Sequence, residues 1–164
     1  MTEGNYKVLL LTGLVLLATV LGILALYAHT IMPGLKKVDD PTFVRSFQAI
    51  DRQITNPIFM LQFFAPLFLL ALAAFYANKH HLVEAKYIYI ALACYLVAVI
   101  LTMAVNVPLN DGLKKVTSTN PDALTNAREQ FNESKWVLFN HIRTVLTLAA
   151  TGFTSAAVWV SKVL

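Results

Sequence analysis

The sequence predicts an all-α membrane protein: a four-transmembrane-helix bundle made of two parallel two-helix repeats, each with an amphipathic loop helix. Three observations predict it. Of the 164 residues, 57% are hydrophobic and only 13% are charged, against about 25% charged in an average soluble domain. The charges are segregated: residues 8–28, 53–78 and 87–110 carry none, and residues 136–161 carry only Arg143. Each run reaches the roughly 20 residues with which a helix crosses about 30 Å of hydrocarbon. Finally, the pentapeptide GLKKV occurs twice, at 34–38 and 112–116, in matching surroundings.

The first apolar run follows Lys7, as a secretory signal would. It is longer than the roughly 7–15 residue core of a signal peptide. Tyr27, His29 and Thr30 follow it where a small-x-small cleavage site would stand. An anchor is expected, ending at Met32-Pro33. After the first GLKKV, Asp40 caps a loop helix with Pro41 at its first position. Phe43, Phe47, Ile50 and Ile54 share one face of that helix, beside a polar face of Gln48, Asp51 and Thr55. The second span begins near Pro57. His80-His81 lies in the short loop and reads as a solvated interfacial pair. The third span ends at Val107-Pro108, followed by the second GLKKV. Asn120-Pro121 then repeats the start signal, and Leu124, Ala127 and Phe131 repeat the apolar stripe. The fourth span begins at Trp136. Two spans per half make both halves cross in the same direction, so the pseudo-two-fold axis lies along the membrane normal. Residues 1–164 form one domain, with repeat halves at about 7–78 and 86–162.

The net charge is +4. Basic residues flanking spans account for it, and no aromatic-basic interleaving marks a nucleic-acid surface. The bilayer is the partner expected; the sequence leaves a homo-oligomer open. Cys94 is the sole cysteine, which rules out an internal disulfide and a cysteine metal site. Eight basic residues fall in the two long loops, against Lys7, Lys79, Lys86 and Lys162 on the other side. Positive-inside counting therefore places the long loops in the cytoplasm. The same loops also hold seven of the nine acids.

Arg143 carries the most chemical information. It lies seven residues into the fourth span, roughly 10 Å from Trp136, where an arginine costs a few kcal/mol unless it meets a partner or snorkels. Trp136, Asn140, Arg143, Thr144, Thr147 and Thr151 share a helix face, with His141 at its edge. Asn106 and Asn110 are spaced i, i+4 around Pro108, which frees a backbone carbonyl. His29, Asp51, Arg52 and Asn56 arrive at the same membrane edge. This collection reads either as a binding or catalytic site or as a structural polar knot tying loops to spans. A metal ion on His29, His141 and Asp51 is a lesser option, because no tight ligand spacing supports it. No haem, phosphate-loop or serine-nucleophile motif occurs.

Several pieces of the chain resemble the anthrone oxygenase-like membrane proteins. They are Met32-Pro33-Gly34-Leu35, Gln48-Ala49-Ile50-Asp51-Arg52, Asn56-Pro57, Asn106-Val107-Pro108-Leu109-Asn110 and Trp136-x3-Asn140-His141-x-Arg143-Thr144. The resemblance covers nearly the whole chain. Asp51 stands where the family usually has Asn, and Phe139 where an aromatic, often Trp, precedes the Asn. The resemblance implies a four-helix membrane fold in a bacterial cytoplasmic membrane. It also implies oxidation of a lipophilic polycyclic or quinone-like aromatic with O2 as co-substrate and no redox cofactor. On it, His141 is expected as base and Arg143 as oxyanion stabiliser, both catalytic. Asn106, Asn110, Trp136, Asn140, Thr144, Asp51, Arg52, Asn56 and His29 are expected to bind substrate. The competing readings are a non-enzymatic small-molecule binder or accessory membrane subunit, and a small transporter.

Overall fold

The computed structural model describes residues 3–161; Lys162, which closes the second repeat half, lies outside them. All regular structure among the described residues is helical. α1 (Glu3–Leu26) runs through a π turn (Tyr27–Ile31) into α2 (Met32–Leu35), followed by α3 (Asp40–Ile54) and α4 (Pro57–Lys79). α5 (Ala85–Leu101) runs through a second π turn (Thr102–Asn106) into α6 (Val107–Lys114), followed by α7 (Pro121–Phe131) and α8 (Glu133–Val160).

Three helical stretches, Gly4–Leu35, Pro57–Lys79 and Ala85–Lys114, are long and apolar enough to cross a membrane. The chain is accordingly a membrane protein. α8 has the length, at 28 residues, but is the least apolar of the long helices. It also starts a turn before Trp136, because Asn132 adopts the left-handed conformation (φ 52°) and accepts a hydrogen bond from the Lys135 amide. Asparagine tolerates that conformation better than most side chains, so α7 and α8 are separated by one residue.

α1 packs along α4 and α8, and α5 packs along the same two helices. Buried Ala91 and Ala98 on α5, with Ala150, Thr154 and Ala157 on α8, let backbones approach closely. Each π turn is followed, two residues on, by a proline: Pro33 and Pro108. A proline gives no N–H to the carbonyl four residues back and crowds it. Widening the helix by one residue absorbs that conflict, and the Met32 and Val107 amides bond five residues back, to Tyr27 and Thr102.

α3 and α7 pack on each other and on α6, around Phe43, Phe47, Leu113, Leu124 and Phe131. The stripe expected on α7 is buried. The one expected on α3 is rotated: Ile50 is exposed and Ile54 half-buried, whereas Val44, Gln48 and Asp51 are buried. The reason is a polar partner. Gln48 Nε2 donates to the carbonyls of Leu113 (2.8 Å), in the last turn of α6, and Val116 (2.9 Å), two residues past its end. Asn120 caps α7 as expected, accepting from the Asp122 amide. Asp40 does not cap α3; Asp39 occupies that position without a side-chain bond.

The Asp40 carboxylate is used across the loops instead. Thr125 Oγ1 donates to it at 2.7 Å and Arg128 at 3.0 Å. Arg128 also donates to the Val38 and Lys36 carbonyls and to Glu133, and lies 4.2 Å over the Phe43 ring. The hydrogen bond from Thr125, then that from Arg128, holds the Asp40 carboxyl below the usual carboxylate range. A carboxyl depressed by folding stabilises fully above its unfolded value, about 4, and loses that contribution as pH falls through the folded value. Asp40→Asn is expected to lower the thermal midpoint in detergent at pH 7. The difference from wild type should shrink as pH falls below about 4; a difference constant down to the acid limit would assign the loss to something other than this charge.

Candidate functional site

The polar stripe of α8 faces inward. Trp136, Asn140, Arg143 and Thr147 are buried, and Arg143 is only 5% exposed. Its guanidinium donates to Asn140 Oδ1 (2.8 Å) and Thr102 Oγ1 (3.1 Å), and lies 5.7 Å from the Trp136 ring. Asn140 Nδ2 donates to the Leu24 carbonyl at 3.1 Å. One residue pair on α8 therefore holds the end of α1 and the second π turn together.

A second polar cluster stands on the other side of Trp136. Trp136 Nε1 donates to Asn110 Oδ1, and Asn110 Nδ2 donates to Asp51 Oδ1, both at 2.7 Å. Lys114 Nζ pairs with Asp51 Oδ2 at 3.0 Å and with Asp111 at 2.9 Å. Asn106 Nδ2 donates to the Trp136 carbonyl. The rotation of α3 described above delivers Asp51 here from the interface loop.

Between the clusters lies a cavity of about 350 Å³, within the size range of small-molecule sites. Tyr27, Phe47, Phe59, Phe63, Phe64 and Trp136 supply its aromatic wall; Asp51, Thr102, Asn106, Asn110, Lys114, Asn140 and Arg143 supply its polar groups. Asn106 Oδ1 and Arg143 Nε have no hydrogen-bond partner within the described residues. Bonding to Thr102 and Asn140 also leaves guanidinium hydrogens over. The arrangement can hold a flat apolar body between rings while a cation and amides meet its oxygens.

Of the residues singled out in the sequence, Asp51, Asn106, Asn110, Trp136, Asn140 and Arg143 line this cavity. The others do not. His141 is exposed, with Nδ1 2.8 Å from the Val137 carbonyl, because two residues along a helix turn the side chain about 200° away from Arg143. Thr144 turns back to the Asn140 carbonyl. Asn56 caps α4 through the Phe59 amide. His29 and Arg52 are exposed. His29, His141 and Asp51 are not brought together: no three His, Cys, Asp or Glu side chains converge among the described residues. Sequence reasoning missed Tyr27, Thr102, Asp111 and Lys114. Thr102, Asn106, Asn110 and Lys114 recur every four residues through an apolar span, and that spacing was the readable signal. Tyr27 carried none.

Comparison with known proteins adds one finding. The family described as Anthrone oxygenase matches residues 58–153, over half of the chain and including Asn106, Asn110, Trp136, Asn140 and Arg143. No curated protein and no solved structure shows a match. On the geometry alone, Asn140→Leu is expected to strip Arg143 and the Leu24 carbonyl of a partner each. Thermal unfolding in detergent should show a loss of about 1–3 kcal/mol, whereas Thr144→Val, whose hydroxyl serves only its own helix, should stay within about 0.5 kcal/mol.

Proposed function

The chain belongs to the anthrone oxygenase family, and on that premise we propose that it is a membrane-embedded oxygenase that oxidises a lipophilic polycyclic or quinone-like aromatic with O2. The observation that carries the reading is the placement of a buried, partly unsatisfied guanidinium beside an aromatic-walled cavity. The proposal includes the architecture: four crossing helices, with α8 as the fourth, arranged as two parallel repeats. The two π turns at matching places before Pro33 and Pro108 support it.

An anthrone carries an acidic CH2 opposite its ketone. Loss of one proton leaves an anthranolate whose charge is shared between that carbon and the ketone oxygen. The carbanion takes up O2 to give a peroxide anion, which takes back a proton from the base. The hydroperoxide then loses water with the remaining C–H hydrogen, leaving the second carbonyl. One O2 is consumed and one water released. Arg143 meets the ketone oxygen as its negative charge develops, in a site already paid for by folding. Trp136 and its neighbouring rings stack on the planar body. Asn106, held by its amide on the Trp136 carbonyl, lines the wall beside that ring.

The proton acceptor in this reading is Asp51 rather than His141, because Asp51 lines the cavity and His141 does not. Lys114 and Asp111 lead from Asp51 toward solvent, their side chains 27% and 47% exposed, so the proton it takes up and returns to the peroxide can exchange with water. Asp51 stands where the family usually has asparagine, and outside the matched residues 58–153, so a carboxylate base is proposed for this chain and not for the family.

The test is anthrone oxidation by protein in detergent or nanodiscs, read as O2 uptake above the spontaneous rate. Arg143→Ala is expected to lower kcat/KM by about 10²–10³-fold and Asp51→Asn by about 10²–10⁴-fold. His141→Gln should leave it unchanged. Binding of anthrone without enzyme-dependent O2 uptake would replace the oxygenase with a binding protein, and a loss in His141→Gln would return the base to α8.

A further inference from the structure

The cavity reaches the surface on two sides of different character. On one side stand Lys114 and Asp111, partly exposed and charged. On the other stand Phe59 and Met60, from the first turns of α4, and Met103, from the second π turn. Met103 lines the cavity and is nevertheless 52% exposed, while Phe59 and Met60 are half-buried. Their outward neighbours, Ile58, Leu61 and Ile100, are apolar and exposed, on two stretches long and apolar enough to cross a membrane. These residues therefore form an apolar rim facing hydrocarbon. Further along, α4 and α5 are fastened by Tyr95, whose hydroxyl donates to the Phe63 carbonyl at 2.6 Å. The fastening confines the opening to the stretch between Phe63 and the start of α4.

We infer that the cavity opens sideways into the bilayer between α4 and the second π turn, and that a lipophilic planar aromatic enters there, past Met60 and Met103, rather than from water past Lys114 and Asp111. The inference rests on the aromatic-substrate reading above. A polycyclic aromatic concentrates among acyl chains, so a lipid-facing mouth meets it where it dissolves, whereas the polar mouth would require it first to enter water. Methionine suits a mouth: its unbranched side chain swings among rotamers and makes favourable contact with rings. The polar mouth is left to protons and water.

Entry through a mouth makes a kinetic prediction that a wall contact does not. The chain has two tryptophans: Trp136 in the cavity wall and Trp159, which is 89% exposed. Full-length Trp159→Phe protein in lipid nanodiscs therefore reports on the cavity through Trp136 alone. Anthraquinone is the probe, with quenching followed by stopped flow. Adding Met60→Phe and Met103→Phe narrows the mouth and is expected to slow association and dissociation together, about fivefold or more, with Kd held within about twofold. Met60→Ala with Met103→Ala widens it and should speed both. Val145→Phe, on the exposed face of α8, should change neither. Rates unaffected by both narrowing and widening, or a changed Kd at constant association rate, would overturn the lateral mouth while leaving the ligand reading intact. Absence of quenching in the Trp159→Phe parent would overturn the ligand reading, and the mouth with it.

Discussion

A guanidinium buried among apolar helices has to be met by acceptors it does not find in lipid, and much of this molecule is arranged around that requirement at Arg143. An unpartnered charge at such depth costs several kcal/mol. Asn140, three residues back on the same helix, supplies one acceptor, and Thr102 supplies another from across the interface. Asn140 is itself oriented by the Leu24 carbonyl. The cation thus ties α8 to α1 and to the second π turn, and the price is met by residues from three separate stretches of chain.

The second π turn contributes to this through the Thr102 hydroxyl. Pro33 and Pro108 prevent regular helix at the two π turns, and the helix widens ahead of each proline. Tyr27 opens the first turn, and Thr102 and Asn106 open and close the second; all three line the cavity. The irregularity sits where the chain needs polar groups and space together.

Trp136 joins the two polar clusters. Its ring lies beneath the Arg143 guanidinium and edge-on to Phe47, while its indole N–H is held by Asn110. Through Asn110 it is linked to Asp51, and through Asp51 to the loop helices. The loop pair α3 and α7, clamped by Arg128 on Asp40, caps the same end of the molecule. The loop helices therefore do more than connect spans: α3 brings Phe47, Asp51 and Ile54 to the cavity wall.

Hydrophobic runs and prolines determined a great deal without any tertiary information. The three apolar spans, the start of α4 at Asn56-Pro57, the start of α7 at Asn120-Pro121 and the inward stripe of α8 follow from local rules of burial, capping and periodicity. The ends of the first and third spans do not, because the helix continues past Pro33 and Pro108 to Leu35 and Lys114 instead of stopping at the prolines. The stripe of α8 is the clearest case, because a helix has only one face to hide and Trp136, Asn140, Arg143 and Thr147 fall on it. What tertiary structure decided was angular and long-range. Gln48 reads only as part of a polar face with Asp51 and Thr55 until the carbonyls of Leu113 and Val116, in a distant stretch of chain, draw it inward. His141 stands two positions from Arg143 in sequence but on the opposite side of the helix. Lys114 reads as an interfacial lysine until Asp51 arrives beside it. Helical periodicity states which residues share a face, but only the packing of other helices decides what that face meets.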